Sequence, residues 1–148
     1  MLNFLLQVSQ NKMLLSAVLS WAAAQLIKII IELIKTRKFN LSLIISSGGM
    51  PSSHAAFVVG LTTAVGLIEG FNSTYFAISA VLSLVVMYDA SGVRRAAGNQ
   101  AAVINTLVSN LENTGIKLDK KLKELLGHSP IEVFCGAILG IIVALIFV

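Results

Sequence analysis

The stretch PIEVFCGAILGIIVALIFV, residues 130–148, holds a single charged residue, Glu132, and is otherwise apolar or small. A run of that length is what an α-helix needs to cross the hydrocarbon core of a bilayer, about 20 residues at about 1.5 Å each. The rest of the 148-residue chain follows suit, being 56% hydrophobic and only 12% charged, where a soluble domain carries about a quarter charged residues. The charges cluster at 35–38, 94–95 and 112–124, with long apolar runs between them. That pattern points to a bilayer as the solvent. It sets the expectation of an all-α integral membrane helix bundle forming one domain over residues 1–148.

Working back from residue 130, three more spans emerge. Met13–Ile34 is long enough to cross but contains Gln25, Lys28 and Glu32, so it is not a plain lipid-facing helix. Its start resembles a signal peptide, with Ala22–Ala24 as a small-residue cleavage site. The apolar character resumes beyond Lys28, and the segment is expected to stay as a span. Ser53–Ile68 is short for a span and is expected to begin inside protein rather than in lipid. Thr74–Tyr88 is the third, joined to the second by a tight hairpin over Glu69–Ser73, where Gly70 and Asn72 are turn formers. Gly136 and Gly140 in the last span have a spacing that lets helices approach closely, either within one chain or between two. Four spans make a thin wall around a buried site, so a homodimer is expected. Cys135 is the lone cysteine and says little about compartment.

Met1–Asn11 is apolar on one side and suits the membrane interface. In the polar segment 90–127, Val93, Ala97, Ile104, Leu107 and Leu111 recur at helical spacing. So do Leu118, Leu122 and Leu125, beside Lys117, Lys120, Lys121 and Lys123. These read as amphipathic interfacial helices between the third and fourth spans, with cations toward anionic lipid headgroups; a solvated helix is the plainer alternative. Asn99, Gln100 and Asn105 read as exposed amides on the polar side. Four spans place 35–52 and 90–129 on one side of the membrane, with nearly all the Lys and Arg. Positive charge marks that side as cytoplasmic, in a multi-pass protein of the cell membrane. No nucleic-acid partner is expected.

The chain has two histidines, His54 and His128. Each precedes or opens a span, and with four spans both fall on the same, basic face. Two histidines and several cations at one depth suit a phosphate-handling site. Arginine grips phosphate oxygens with paired donors and lysine supplies a point charge. Helix N-termini add N–H donors and a favourable dipole. Neutral histidine attacks phosphorus or shuttles a proton near pH 7.

Three motifs carry a family resemblance: Gly48–His54 (GGMPSSH), Asp89–Arg95 (DASGVRR) and Gly127–Glu132 (GHSPIE). Together they resemble the type 2 phosphatidic acid phosphatase family, related to vanadium haloperoxidases, and in particular its small divergent membrane branch. That family's Pro-Ser-Gly-His motif matches Pro51–His54, with Ser53 in place of glycine. Its later His and Asp match His128 and Glu132, a glutamate for an aspartate. The arginine that precedes them is Arg94 or Arg95, here more than thirty residues ahead of the histidine. The basic amphipathic segment therefore looks like an insertion. For the family's first motif, Lys28 stands for the lysine and Lys35 or Arg37 for the arginine; the usual Arg-Pro pair is absent.

The resemblance implies a lipid phosphatase. His128 would attack phosphorus, Glu132 would hold its ring, and His54 would protonate the leaving alcohol. Arg94, Arg95 and Lys28, with Ser52, Ser53 and Gly49 at the turn, would bind the phosphoryl group, joined by Lys35 or Arg37. No metal is required by this scheme. Asp89 would pair with Arg94 or Arg95, the alternative being Mg²⁺ held beside a phosphate. Phosphatidylglycerophosphate and an isoprenyl phosphate or diphosphate are the substrates such a site suits.

Plainer readings stand beside these. Ser129-Pro130-Ile131-Glu132 fits a capping box, which alone would account for Glu132, although capping and catalysis do not exclude each other. Ser52 or Ser53 suits a helix N-cap. Lys28 could snorkel to the interface. A non-catalytic protein that binds lipid headgroups or assists assembly through a decayed site is the competing function, and a small transporter ranks below both.

Overall fold

The computed structural model describes residues 2–37, 49–112, 122 and 127–148. Among them every regular element is an α-helix: α1 (Leu2–Gln10), α2 (Lys12–Thr36), α3 (Ser53–Glu69), α4 (Thr74–Ser91), α5 (Val93–Glu112) and α6 (Pro130–Phe147). The four expected spans are α2, α3, α4 and α6. Three helical stretches are long and apolar enough to cross a membrane, Lys12–Thr36, Thr74–Asn110 (α4 running on through α5) and Pro130–Phe147, while Ser53–Glu69 is shorter.

Local sequence explains the ends. Asn11 caps α2 by accepting from Leu14 N at 3.0 Å, and Arg37 closes it in a left-handed conformation (φ 54°). Ser73 caps α4, accepting from Phe76 N at 3.1 Å. Gly70 turns the α3–α4 hairpin with φ 91°, a value open to glycine and strained for residues with a Cβ. Gly92 interrupts the helix between α4 and α5.

α3 lies at the centre and packs against α2, α4 and α6. Small residues and hydroxyls make this packing close. On the α2 side, a Cβ at Gly60 would overlap Ser20 Oγ, and Ser16 Oγ donates to Gly60 O at 3.3 Å. On the α4 side, Ser83 Oγ donates to Val58 O at 2.9 Å, and Thr62 and Ser83 share a hydroxyl bond of 2.7 Å. Each hydroxyl meets a backbone carbonyl or another hydroxyl, as a lipid-embedded polar group must. On the α6 side, Gly136 lies directly against the Ser52 carbonyl and Gly140 against Ala56 O and Gly60 N. The Gly136–Gly140 pair is thus used within the chain.

α5 packs on α4 and on no other helix among the described elements. Val93, Ala97, Ile104 and Leu107 are exposed along one stripe, as an interfacial helix requires. Gly98, Ala101 and Asn105 form a buried face. Asn105 departs from the expected exposed amide, because both its polar side-chain atoms pair with the Leu122 backbone. The helix expected around Leu118, Leu122 and Leu125 with its lysines lies outside the described residues, Leu122 excepted.

Gly140→Val tests the α3–α6 contact. Its Cβ would stand 2.6 Å from Ala56 O and 2.8 Å from Gly60 N, so overpacking is expected to cost about 1–3 kcal/mol. A lowered unfolding temperature of the detergent-solubilised protein would report it; an unchanged one would argue against the contact.

Candidate phosphate site

The starts of α3 and α6, the end of α4 and the inner third of α2 meet at one end of the bundle. Three backbone features bring them together. Ser52 N donates to Glu132 O at 2.9 Å, tying the start of α3 to the first turn of α6. His128 N donates to Ala90 O at 2.9 Å, tying the approach to α6 to the last turn of α4. Gly136 keeps the two helix starts in contact.

Within this junction the rings of His54 and His128 lie 5.9 Å apart between centroids, at 65° to one another. His54 is in the first turn of α3 and half-buried, whereas His128 precedes α6 and is 2% exposed. Glu132 orients His128: its Oε2 lies 3.1 Å from Nδ1 and also accepts Ser129 N at 3.0 Å. Ser129 Oγ accepts Glu132 N in return, completing the capping box. One carboxylate oxygen therefore caps the helix and holds the imidazole, and the two readings of Glu132 coexist. Because Nδ1 is committed to a carboxylate, Nε2 is the nitrogen placed for chemistry.

Lys28 is 5% exposed. Its Nζ donates to Ser53 Oγ at 3.3 Å, and Glu132 is the carboxylate within coulombic range. Lys28 therefore points into the bundle and does not snorkel. Gly49 (φ 83°) adjoins it, since a Cβ there would stand 4.0 Å from Lys28 Cδ. The two serines divide the work expected of either. Ser52 is the N-cap, accepting Ala55 N at 3.4 Å, and Ser53 receives the lysine.

The remaining sequence-derived residues are spread more widely. Asp89 is half-buried beside Ala90, and Arg95 is exposed on α5. The Arg94 side chain lies outside the described residues. Lys35 and Arg37 are exposed at the end of α2, two turns beyond Lys28, and neither bonds to a described site residue. Among the described residues, no group of three His, Cys, Asp or Glu side chains is placed to hold a metal ion. Sequence reasoning missed the Ala90 carbonyl, since a backbone acceptor leaves no residue-type signal. It also missed the Asn105 strap.

The site lies inside the bundle. Lys28, level with Ser53, is eight residues from the end of α2, so α2 rises about 12 Å past it. The junction thus gathers two neighbouring imidazoles, one of them held by a carboxylate, and a buried lysine within an α-helical membrane protein. The sequence pattern of the Divergent PAP2 family matches residues 9–143, and the chain belongs to that family. It is 45% identical over 152 residues to the Uncharacterized membrane protein YuiD of Bacillus subtilis (strain 168), covering 95% of this chain and 96% of that protein. No solved structure matches it.

Replacing Glu132 separates its two tasks. Glu132→Ala removes the cap acceptor and the imidazole tether and is expected to cost about 1 kcal/mol. Glu132→Gln keeps an acceptor for Ser129 N–H and is expected to lose less than half of that. Thermal unfolding in detergent compares them, and equal losses would show that capping is not what Glu132 contributes to stability.

Proposed function

We propose that this protein is a membrane lipid phosphatase that hydrolyses a phosphomonoester through a phosphohistidine on His128. The observation that carries the reading is the facing pair of imidazoles, 5.9 Å apart between centroids, with one ring held by Glu132. Two rings that close can both reach one phosphoryl group seated beside the pair, at the hydrogen-bonding or attack distance of about 3 Å.

In the first step the Nε2 lone pair of His128 attacks phosphorus. The P–N bond forms as the bond from phosphorus to the lipid oxygen breaks, and protonated His54 gives its proton to that oxygen. In the second step neutral His54 takes a proton from water. The water oxygen attacks phosphorus, the P–N bond breaks, and inorganic phosphate leaves. Glu132 balances the positive charge on His128 in between. Lys28, Ser53 and the arginines Arg94 and Arg95 offset charge on the pentacoordinate phosphoryl group, and losing one such donor costs about 10²–10³ in rate.

Several features support a lipid substrate. The site lies toward the end of the bundle that carries Lys35, Arg37 and Arg95, which the charge bias assigns to the cytoplasm. The exposed apolar stripe of α5 fits the surface of the same leaflet, with its anionic headgroups. Phosphatidylglycerophosphate and an isoprenyl phosphate or diphosphate are the substrates this reading favours. Asp89 is the residue that would hold a Mg²⁺ ion, which would supply charge compensation for a phosphate without being required. The homodimer expected from the thin wall would use a face other than Gly136–Gly140.

The test is phosphate release by the purified full-length protein from a panel of lipid phosphates, with and without a chelator. Wild type is expected to release phosphate, His128→Ala to lose the activity, and His54→Ala to fall by about 10²–10⁴. Equal release by all three would remove the enzyme reading and leave a protein that binds lipid headgroups or assists assembly.

A further inference from the structure

α5 follows α4 after Ala90, and His128, just ahead of α6, donates its backbone N–H to the Ala90 carbonyl. Between these points in the chain one side chain ties α5 to Leu122. Asn105 Nδ2 donates to Leu122 O at 2.8 Å, and Asn105 Oδ1 accepts Leu122 N at 2.8 Å. The amide thereby copies the two-point pairing of a strand neighbour across seventeen residues. It is 8% exposed on a helix whose neighbouring side chains Ile104 and Thr106 are open. Such double satisfaction of a buried amide defines a single geometry, because shifting either partner leaves a donor and an acceptor unmet. Leu122 lies six residues ahead of His128. α5 carries an exposed apolar stripe and packs on α4.

We propose that Asn105 is a positioning residue: it straps Leu122 to α5 and so sets the place of His128, six residues further along the chain. Only the kinetic arm of its test rests on the phosphatase reading.

The full-length protein in lipid vesicles would be compared with Asn105→Ala and Asn105→Asp, the latter keeping the acceptor for Leu122 N–H. Three quantities are read: hydrogen exchange at the Leu122 amide, the rate of His128 modification by diethyl pyrocarbonate, and kcat against KM for phosphate release. In Asn105→Ala, Leu122 exchange is expected to rise at least about tenfold as the protecting bond is lost. His128 modification should accelerate, and kcat should fall about 10–100-fold with KM little changed, as misplacement of a reacting group predicts. Asn105→Asp should recover much of each. Unchanged Leu122 exchange in Asn105→Ala would refute the strap. Faster exchange with unaltered His128 modification would refute the positioning role, whether or not the protein releases phosphate. If wild type releases none, the phosphatase reading falls, and the first two measurements still decide the role of Asn105.

Discussion

Where Gly136 and Gly140 of α6 meet the carbonyls of Ser52 and Ala56, two helix backbones touch with no side chain between them. Lipid gives helices no hydrophobic reason to associate, since its tails are as apolar as leucine, so close packing and hydrogen bonds must hold the bundle. This contact is the tightest use of that principle here, and it lies within about three turns of the start of both helices. It brings the first turns of α3 and α6 to one depth, and the Ser52 N–Glu132 O bond completes the alignment. His54 rides on one helix start and His128 immediately precedes the other. Any residue larger than glycine would push the histidines apart along with their helices.

The polar groups inside the bundle fall into two kinds. Ser16, Ser20, Thr62, Ser79 and Ser83 spend their hydroxyls on helix carbonyls or on each other; those of Ser16, Thr62 and Ser83 connect neighbouring helices, while those of Ser20 and Ser79 bond within their own. Lys28, Ser53, His54, His128 and Glu132 are gathered at one end, and they bring ionisable groups where a bilayer protein ordinarily tolerates none without a purpose. Lys28 and Glu132 carry opposite charge on different helices with an imidazole in the same junction. On the proposed function, an anion beside Lys28 and Ser53 would meet donors already oriented, so little reorganisation would be needed at the moment of reaction.

The four spans were legible because lipid enforces long apolar runs, and α2, α3, α4 and α6 begin within a residue or so of the places that Asn11, Ser52, Ser73 and Ser129 announce as caps. The His–Glu pair was legible too, because His128 and Glu132 are one helical turn apart and their contact is local. What remained open depended on contacts between distant segments. Nothing in the spacing of Gly136 and Gly140 distinguishes a partner helix in the same chain from one in a second chain. Lys28 could be assigned inward only once Ser53 was seen beside it, twenty-five residues away. Asn105 looked like a surface amide because its partner is the backbone of Leu122, and a backbone partner is invisible in residue types. Of the adjacent arginines, Arg95 is exposed on α5, which spacing alone did not foretell.

The brevity of α3 has a consequence for solvent. Its 17 residues span about 25 Å, some 5 Å less than the hydrocarbon thickness of a typical bilayer. Since α2, α4 and α6 surround it, lipid does not close the gap, and irregular backbone at that depth is tolerated only where it borders protein or water. On the proposed hydrolysis, water would have to reach below the plane of the headgroups along the axis of α3, the shortest of the four spans. A product alcohol freed there would already stand among acyl chains, while the inorganic ion would face the aqueous column, so cleavage and separation of the two products would occur in one place.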